Sequence, residues 1–197
     1  VCTGDITTYH TSFTGLTYQW SVTGGNVISS TNGTVIIGWG LAGAGVVNVL
    51  VTDGSQTVIA ACSLNVIIHS LPEPVITSSF ITECVRFKKG DDGFPVPHID
   101  PDECWKVCEL SSVYYSTPLN TGSIYTWNAV GAVSVTPNTT GEGAWIVWNT
   151  SPTAKVSVTE TNAFGCSATV EQCITVIKKP EAALETTPAW VLQMGNP

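Results

Sequence analysis

Residues Thr17-Tyr18-Gln19-Trp20-Ser21-Val22-Thr23-Gly24-Gly25 decide the reading of this chain, because their pattern returns in the second half. Tyr18, Trp20 and Val22 alternate with polar residues, so they share one face of a strand, and the glycine pair behind them marks a turn. An apolar run follows through Val35 and Ile37 to Trp39-Gly40. A looser repeat reads Tyr125-x-Trp127-x-Ala129 and then Trp145-Ile146-Val147-Trp148. Trp20 and Trp39 stand 19 residues apart and Trp127 and Trp148 stand 21 apart, which makes the repeated unit domain-sized.

The same alternation extends over Val47, Val49 and Val51 and over Leu64, Val66 and Ile68. Asn32-Gly33, Gly43-Ala44-Gly45 and Asp53-Gly54 supply the positive-φ positions of tight hairpins. In the second half, strand signals fall at Val113–Tyr115, Tyr125–Ala129, Ala144–Trp148, Val156–Thr159 and Ile174–Ile177. No long window carries a 3.6-residue apolar period. Short strands at this spacing predict an all-β chain of two tandem sandwiches. The 197 residues suit two such units, each large enough for its own core.

Pro72 and Pro74 cannot continue a central strand, so Leu71-Pro72-Glu73-Pro74 closes the first unit as a short stiff joint. The expected organisation is residues 1–74, then 75–180 with an insertion from Cys84 to Cys104, then a tail over 181–197. Lys179-Pro180-Glu181 is the counterpart of the first joint.

Charged residues are only 11% of the chain and its formal net charge is −8, with seven Lys and Arg in all. Nucleic acid and anionic membrane surfaces need clustered basic residues, so both are excluded as expected partners. No apolar run reaches transmembrane length, so no membrane insertion is expected. Seven cysteines without a C-x-x-C pair point to disulfides and an oxidising compartment. With a first residue of Val rather than Met, this reads as a mature or excised piece of a secreted protein.

The order Cys2-x-Gly4, Tyr18-x-Trp20-x-Val22-x-Gly24-Gly25, Trp39-Gly40, Cys62-Ser63 and Pro72-x-Pro74 resembles the PKD-like, immunoglobulin-like repeats of large surface proteins in gliding Bacteroidetes. The second repeat matches through Cys108, Tyr125-x-Trp127, Trp148 and Asn162-Ala163-Phe164-Gly165-Cys166-Ser167, but has Ala129-Val130-Gly131 where the first has Val22-Thr23-Gly24-Gly25. The resemblance implies β-sandwich modules exported by a type IX secretion system and displayed at the cell surface in tandem arrays. It identifies a scaffold and leaves the task open.

Among candidate sites, Trp20, Trp39, Trp127 and Trp148 lie in phase with apolar neighbours and belong to the cores. Trp105, Trp145 and Trp190 fit that phase less well and are the candidates for a contact surface. Asp91, Asp92, Asp100, Asp102 and Glu103 offer hard oxygen ligands for Ca²⁺, but their spacing fits no EF-hand, and a solvated acidic loop is the default, so no cofactor is expected. Cys104, Cys108, Cys166 and Cys173 lack paired zinc-ligand spacing. His10, His69 and His98 stand outside any nucleophile or H-E-x-x-H motif, and no Gly-rich stretch opens a helix, so no catalysis is expected. Asn32, Asn138 and Asn149 begin Asn-x-Ser/Thr sequons near turns.

The first unit holds only Cys2 and Cys62, which are therefore expected to pair. Cys108 corresponds to Cys2, with Cys166 or Cys173 as its partner. Cys166 is favoured because Cys166-Ser167-x-x-Val170 repeats Cys62-Ser63-x-x-Val66. Cys84 would then bond Cys104 and leave Cys173 free, with Cys84 or Cys104 to Cys173 as the alternative. The expected task is a structural or adhesive module that meets neighbouring copies or repeats end to end, through a tail whose Ala189-Trp190-Val191-Leu192 cluster docks or begins a further repeat. The rival is a carbohydrate-binding module attached to a secreted enzyme, which needs an exposed aromatic row to meet glycans.

Overall fold

The computed structural model describes residues 1–11, 16–79, 87–89, 95–97, 104–149, 151 and 153–178. Described strands in the first half are β1 (Ile6–His10), β2 (Thr17–Thr23), β3 (Gly25–Thr31), β4 (Thr34–Trp39), β5 (Gly43–Thr52) and β6 (Val58–Ile68). Further along come β7 (Thr77–Ser78), β8 (Phe87–Lys89), β9 (Pro95–Pro97), β10 (Trp105–Cys108) and β11 (Ser112–Ser116). The last are β12 (Ile124–Val130), β13 (Ala132–Pro137), β14 (Gly143–Trp148), β15 (Ala154–Thr161) and β16 (Ser167–Ile177). No helix occurs among the described residues.

Sheets β1-β4-β3 and β2-β5-β6 form the first sandwich. Sheets β7-β11-β14-β13 and β10-β16-β15-β12 form the second, and β8 pairs only with β9. The chain is thus two immunoglobulin-like β-sandwiches in tandem. Strands β11 to β16 repeat β1 to β6 in order and in sheet membership. Registers confirm the match: Tyr9 lies opposite Val35 as Tyr115 lies opposite Ala144, and Trp20 opposite Val49 as Trp127 opposite Val158. The second sandwich has two strands more, β7 on one sheet edge and β10 on the other.

Local chemistry explains the crossing between sheets. Gly24 joins β2 to β3, which lie in different sheets, at φ +76°. A Cβ there would stand 2.8 Å from the Ala44 carbonyl oxygen, so only glycine fits. Gly131 does the same between β12 and β13 at φ +81°. Each turn needs one positive-φ glycine; Gly25 is required on a separate ground, since a Cβ there would stand 2.8 Å from the Gly38 carbonyl oxygen, and Ala132 takes its place in the second repeat.

The cores differ in size. The first is built on buried Val35, Ile37, Trp39, Val47 and Ile68, with Trp20, Val22 and Tyr9 partly buried against it. The second gathers thirteen buried residues, among them Trp127, Trp148, Tyr115 and Ile146. Tyr115 and Trp148 meet edge to face at 6.1 Å, and Tyr9 and Trp39 reproduce that pair at 6.2 Å. Leu64, whose phase predicts an inward side chain, is half exposed, because the facing three-stranded sheet does not cover β6.

The cysteine pairing departs from the favoured scheme of Cys2–Cys62, Cys108–Cys166 and Cys84–Cys104, and agrees with the alternative that joined Cys104 to Cys173. Cys2 bonds Cys166 and Cys104 bonds Cys173, while Cys62 is a free, exposed thiol. Cys108 is also disulfide-bonded, and Cys84 lies outside the described residues. Cys2 pairs in parallel with His69 at the exit of β6. Cys62 is seven residues back along the same strand, about 23 Å at strand rise, far beyond disulfide reach. Cys108 likewise lies opposite Ile177 at the far end of β16 from Cys166. Cys104 precedes Trp105, which lies opposite Ile174, and this parallel pairing brings it beside Cys173 and excludes Cys84–Cys104.

Candidate functional site

Three surfaces carry the chemistry available to this chain. The first is the joint between the sandwiches. Asn162 opens the β15–β16 turn, and its side-chain oxygen accepts the Phe164 and Cys166 amides at 3.0 Å each. Its amide nitrogen donates to the Ser70 carbonyl at 3.0 Å. Gly165, at φ +83°, closes the turn, and Phe164 thereby lies over His69 with ring centroids 3.9 Å apart. Cys2, held by the Thr3 amide's bond to the His69 carbonyl, meets Cys166 at a Cα separation of 5.6 Å. The Leu71 to Pro74 connection, a stacked ring pair, a hydrogen bond and a disulfide all span one junction.

The second surface is the outer face of the β13-β14-β11-β7 sheet. Trp145 is 51% exposed, opposite Tyr114 on one side and Thr136 on the other. Tyr114 and Trp145 lie 5.2 Å apart at a tilt of 48°. The Asn138 amide donates to the Tyr114 hydroxyl at 3.3 Å and fixes the ring. Trp105 does not join them: it is half-buried and stacks on Tyr115 at 6.2 Å, at the rim of the core. Trp190 lies outside the described residues.

The third is the open side of the first sandwich. On β6, Val58, Ile59, Leu64 and Ile67 are exposed, and among the described residues the outer edge of that strand meets Val1 to Thr3, at Ile67 and His69. Cys62 stands level with Val49 and Trp20 across three strands, and all three line a shallow groove. An apolar edge without Lys or Pro is unprotected against strand pairing.

Buried polar chemistry is sparse. Glu160 is 1% exposed, and its Oε1 accepts from the Asn120 amide at 2.9 Å and the Ser123 hydroxyl at 2.7 Å. Among the described residues no group of three His, Cys, Asp or Glu could hold a metal ion. The calcium candidates Asp91, Asp92, Asp100, Asp102 and Glu103 lie outside the described residues, as do His98 and the tail over 181–197. Sequence reasoning placed the joint at Leu71 to Pro74 but missed the disulfide, the hydrogen bond and the ring pair that clamp it. Their signal was the compact Asn162-Ala163-Phe164-Gly165-Cys166 run, where an exposed Phe flanks a buried Cys.

No protein-family model matches the chain, and no curated protein matches it. Similar solved structures include murine CEACAM1b, 12% identical over 90% of this chain and 95% of that one, at a TM-score of 0.36. The tandem Ig repeats of Dlar are 11% identical over 90% and 92% at 0.31. A Bacteroides ovatus mixed-linkage glucan utilization locus protein, SGBP-B in complex with a heptasaccharide, is 12% identical over 90% and 65% at 0.30. At such TM-scores these likenesses carry no argument. The fold rests on the sheets, and the reading of function rests on the surfaces above.

Proposed function

We propose that this chain is a non-catalytic, extracellular structural or adhesive module whose two sandwiches are held in fixed register and which assembles end to end with neighbouring copies or repeats at a cell surface. One observation carries the reading: the Cys2–Cys166 disulfide closes the joint between two sandwiches that each have their own core. A covalent clamp at the junction fixes the two units against one another, which suits a module that transmits position or tension along a row. Disulfides also fit an exported protein. The resemblance to type IX-secreted repeats of gliding Bacteroidetes belongs to the same reading. Its test is light scattering and electron microscopy of the oxidised chain over a rising concentration series. Elongated particles whose length grows with concentration are expected, and a compact monomer at every concentration defeats the assembly part.

A second reading, glycan binding, is favoured by the Tyr114–Trp145 pair on an outer sheet face. Paired aromatics with one exposed ring offer a platform for sugar rings. A glycan array separates the two, and retention lost in Trp145→Ala assigns the binding to this face.

A further inference from the structure

The outer face of the β7-β11-β14-β13 sheet carries a feature that the sandwich plan does not require. The registers make the two units comparable position by position. Thr8, Ile36 and Ser29 form a row across β1, β4 and β3, and Tyr114, Trp145 and Thr136 form the same row across β11, β14 and β13. The inward aromatic pair of this sheet recurs in both units, as Tyr9 with Trp39 and Tyr115 with Trp148. The outward pair, Tyr114 with Trp145, stands where the first unit has Thr8 and Ile36. The same plan therefore folds without it.

Tyr114 is held in a set position. Gly143, diagonally across on β14, leaves room for the phenol, since a Cβ there would collide with the Tyr114 hydroxyl. The first unit has Thr34 at that place. The Asn138 amide donates to the hydroxyl, while the Asn138 side-chain oxygen accepts the Gly141 and Gly143 amides at 2.7 and 3.3 Å. A hydroxyl that accepts from Asn138 still has its own hydrogen to donate. Packing of an aromatic ring over a strand glycine accounts for Tyr114. It does not account for the neighbouring indole, half of which is left in water.

The surroundings of the pair select a ligand. Thr136 and Ser134 on β13 and Ser112 on β11 are exposed and put hydroxyls around Trp145. A hydrocarbon partner would strip those hydroxyls of water without replacing the lost hydrogen bonds. The four strands of the sheet contain no Lys or Arg, and the β13–β14 loop adds Glu142, whose Oε1 accepts from the Asn138 amide at 2.9 Å. Hydrogen bonds from the Thr140 hydroxyl, from its own backbone and from Asn138 hold the Glu142 carboxyl below the usual carboxylate range, so it is charged at neutral pH. A carboxylate or sulfate on a ligand would meet that charge with no cation on the sheet to balance it. A neutral pyranose fits on both counts: its polarised C–H bonds suit the electron-rich face of an indole, and its hydroxyls suit the rim.

We propose that Trp145 and Tyr114 form a platform for a neutral glycan, in which a pyranose stacks its C–H face on Trp145, the Tyr114 hydroxyl donates to a sugar hydroxyl, and Glu142 turns acidic sugars away. Gly143 and Asn138 are positioning residues that set the phenol. This rests on the glycan reading above and adds the ligand class and the residues that select it.

The test places the full oxidised chain on an array of neutral, carboxylated and sulfated oligosaccharides and carries the strongest neutral ligand, with its uronate counterpart, into calorimetric titration. Retention is expected among the neutral glycans. Trp145→Ala should weaken the titrated ligand by at least about tenfold, the scale of one lost aromatic contact, with the urea midpoint of the parent. Tyr114→Phe keeps the ring over Gly143 and removes the donor, so binding falls roughly three- to tenfold at an unchanged midpoint. Glu142→Gln keeps an acceptor for Asn138 and removes the charge, so the gap between the neutral ligand and its uronate counterpart narrows by about three- to fivefold. Acidic glycans retained as well as neutral ones, or a gap that Glu142→Gln leaves unchanged, overturn the ligand class and leave glycan binding standing. Retention that survives Trp145→Ala puts the sugar elsewhere and overturns the platform. A chain that retains no glycan overturns this proposal and the glycan reading together, and self-association lost in Trp145→Ala then makes the face a contact between proteins.

Discussion

Breaking the joint disulfide should uncouple the two sandwiches. The perturbation is the double variant Cys2→Ser/Cys166→Ser, since a single change leaves a thiol free to exchange with Cys62. The bond joins residues 164 apart, and the chain-entropy relation for a loop that long gives about 5 kcal/mol of restrained unfolded-state entropy. That stabilisation is shared, because the loop contains the whole first sandwich and most of the second. The first sandwich depends on it more, since among the described residues its core gathers five buried residues against thirteen. If half falls on the first sandwich, its melting midpoint drops by roughly 10–20 °C, at about 4–8 °C per kcal/mol for a unit of this size. Scanning calorimetry of the oxidised parent should show one merged transition, and the variant two, with the lower belonging to the first sandwich. Peptide mapping without reduction should recover Cys2 linked to Cys166. A variant that melts as the parent does, or a Cys2–Cys62 peptide, refutes the reasoning.

Other outcomes follow from the cores and faces. Trp127 is 7% exposed and its indole donates to the Gly141 carbonyl at 2.9 Å, so Trp127→Ala should cost about 3–5 kcal/mol in urea melts. Trp20 is half-buried with an unpaired indole nitrogen, so Trp20→Ala should cost less, about 1–3 kcal/mol. Burial drives the Tyr115 hydroxyl well above the usual phenol range, against the smaller opposite effect of its bond from the Trp148 indole. A folded value raised above the unfolded one contributes stability at lower pH and loses it as pH climbs, so urea midpoints should hold below about pH 10 and fall above it. The absorbance of its phenolate should rise only with unfolding. Trp145→Ala should change stability by no more than about 0.5 kcal/mol, as expected for an exposed site, while any glycan retention is lost.

The residues that set the strands were legible because alternation is a local property. Tyr18-x-Trp20-x-Val22 and Val35-x-Ile37-x-Trp39 specify a face wherever their strand lies, and Gly24 and Gly131 specify a turn by their φ alone. Cysteine partnership is not local. The Cys-Ser-x-x-Val likeness aligned Cys62 with Cys166, yet the registers set Cys62 beside Val49 and Val170 beside Val158, so Cys62 corresponds to Val170. Four residues of slip within one long strand carried Cys166 off the sheet and into the turn at the joint. Similarly, the outward phase of Trp105 was read correctly for an isolated strand and wrongly for β10, whose parallel pairing with β16 puts the ring on Tyr115.

The two sandwiches share a plan and differ in what their surroundings supply. In the second, the longer β13–β14 loop brings the Gly141 carbonyl to the Trp127 indole, whereas Asn32-Gly33 turns too tightly to do so for Trp20. The Trp148 indole reaches the Tyr115 hydroxyl, while the Trp39 indole has no partner even though the ring pair is the same. Strands β7 and β10 extend one edge of each sheet of the second sandwich, and Ile76 is buried in its core. Among the described residues, the unpaired edge of β1 and the uncovered side chains of β6 belong to the first sandwich. Unpartnered buried side-chain atoms occur in both units, at Thr11, Trp20 and Trp39 in the first and at one carboxylate oxygen each of Glu142 and Glu160 in the second. The difference lies in the indoles: Trp127 and Trp148 both find acceptors while Trp20 and Trp39 find none, so the same ring positions are held by hydrogen bonds in the second sandwich and by packing alone in the first.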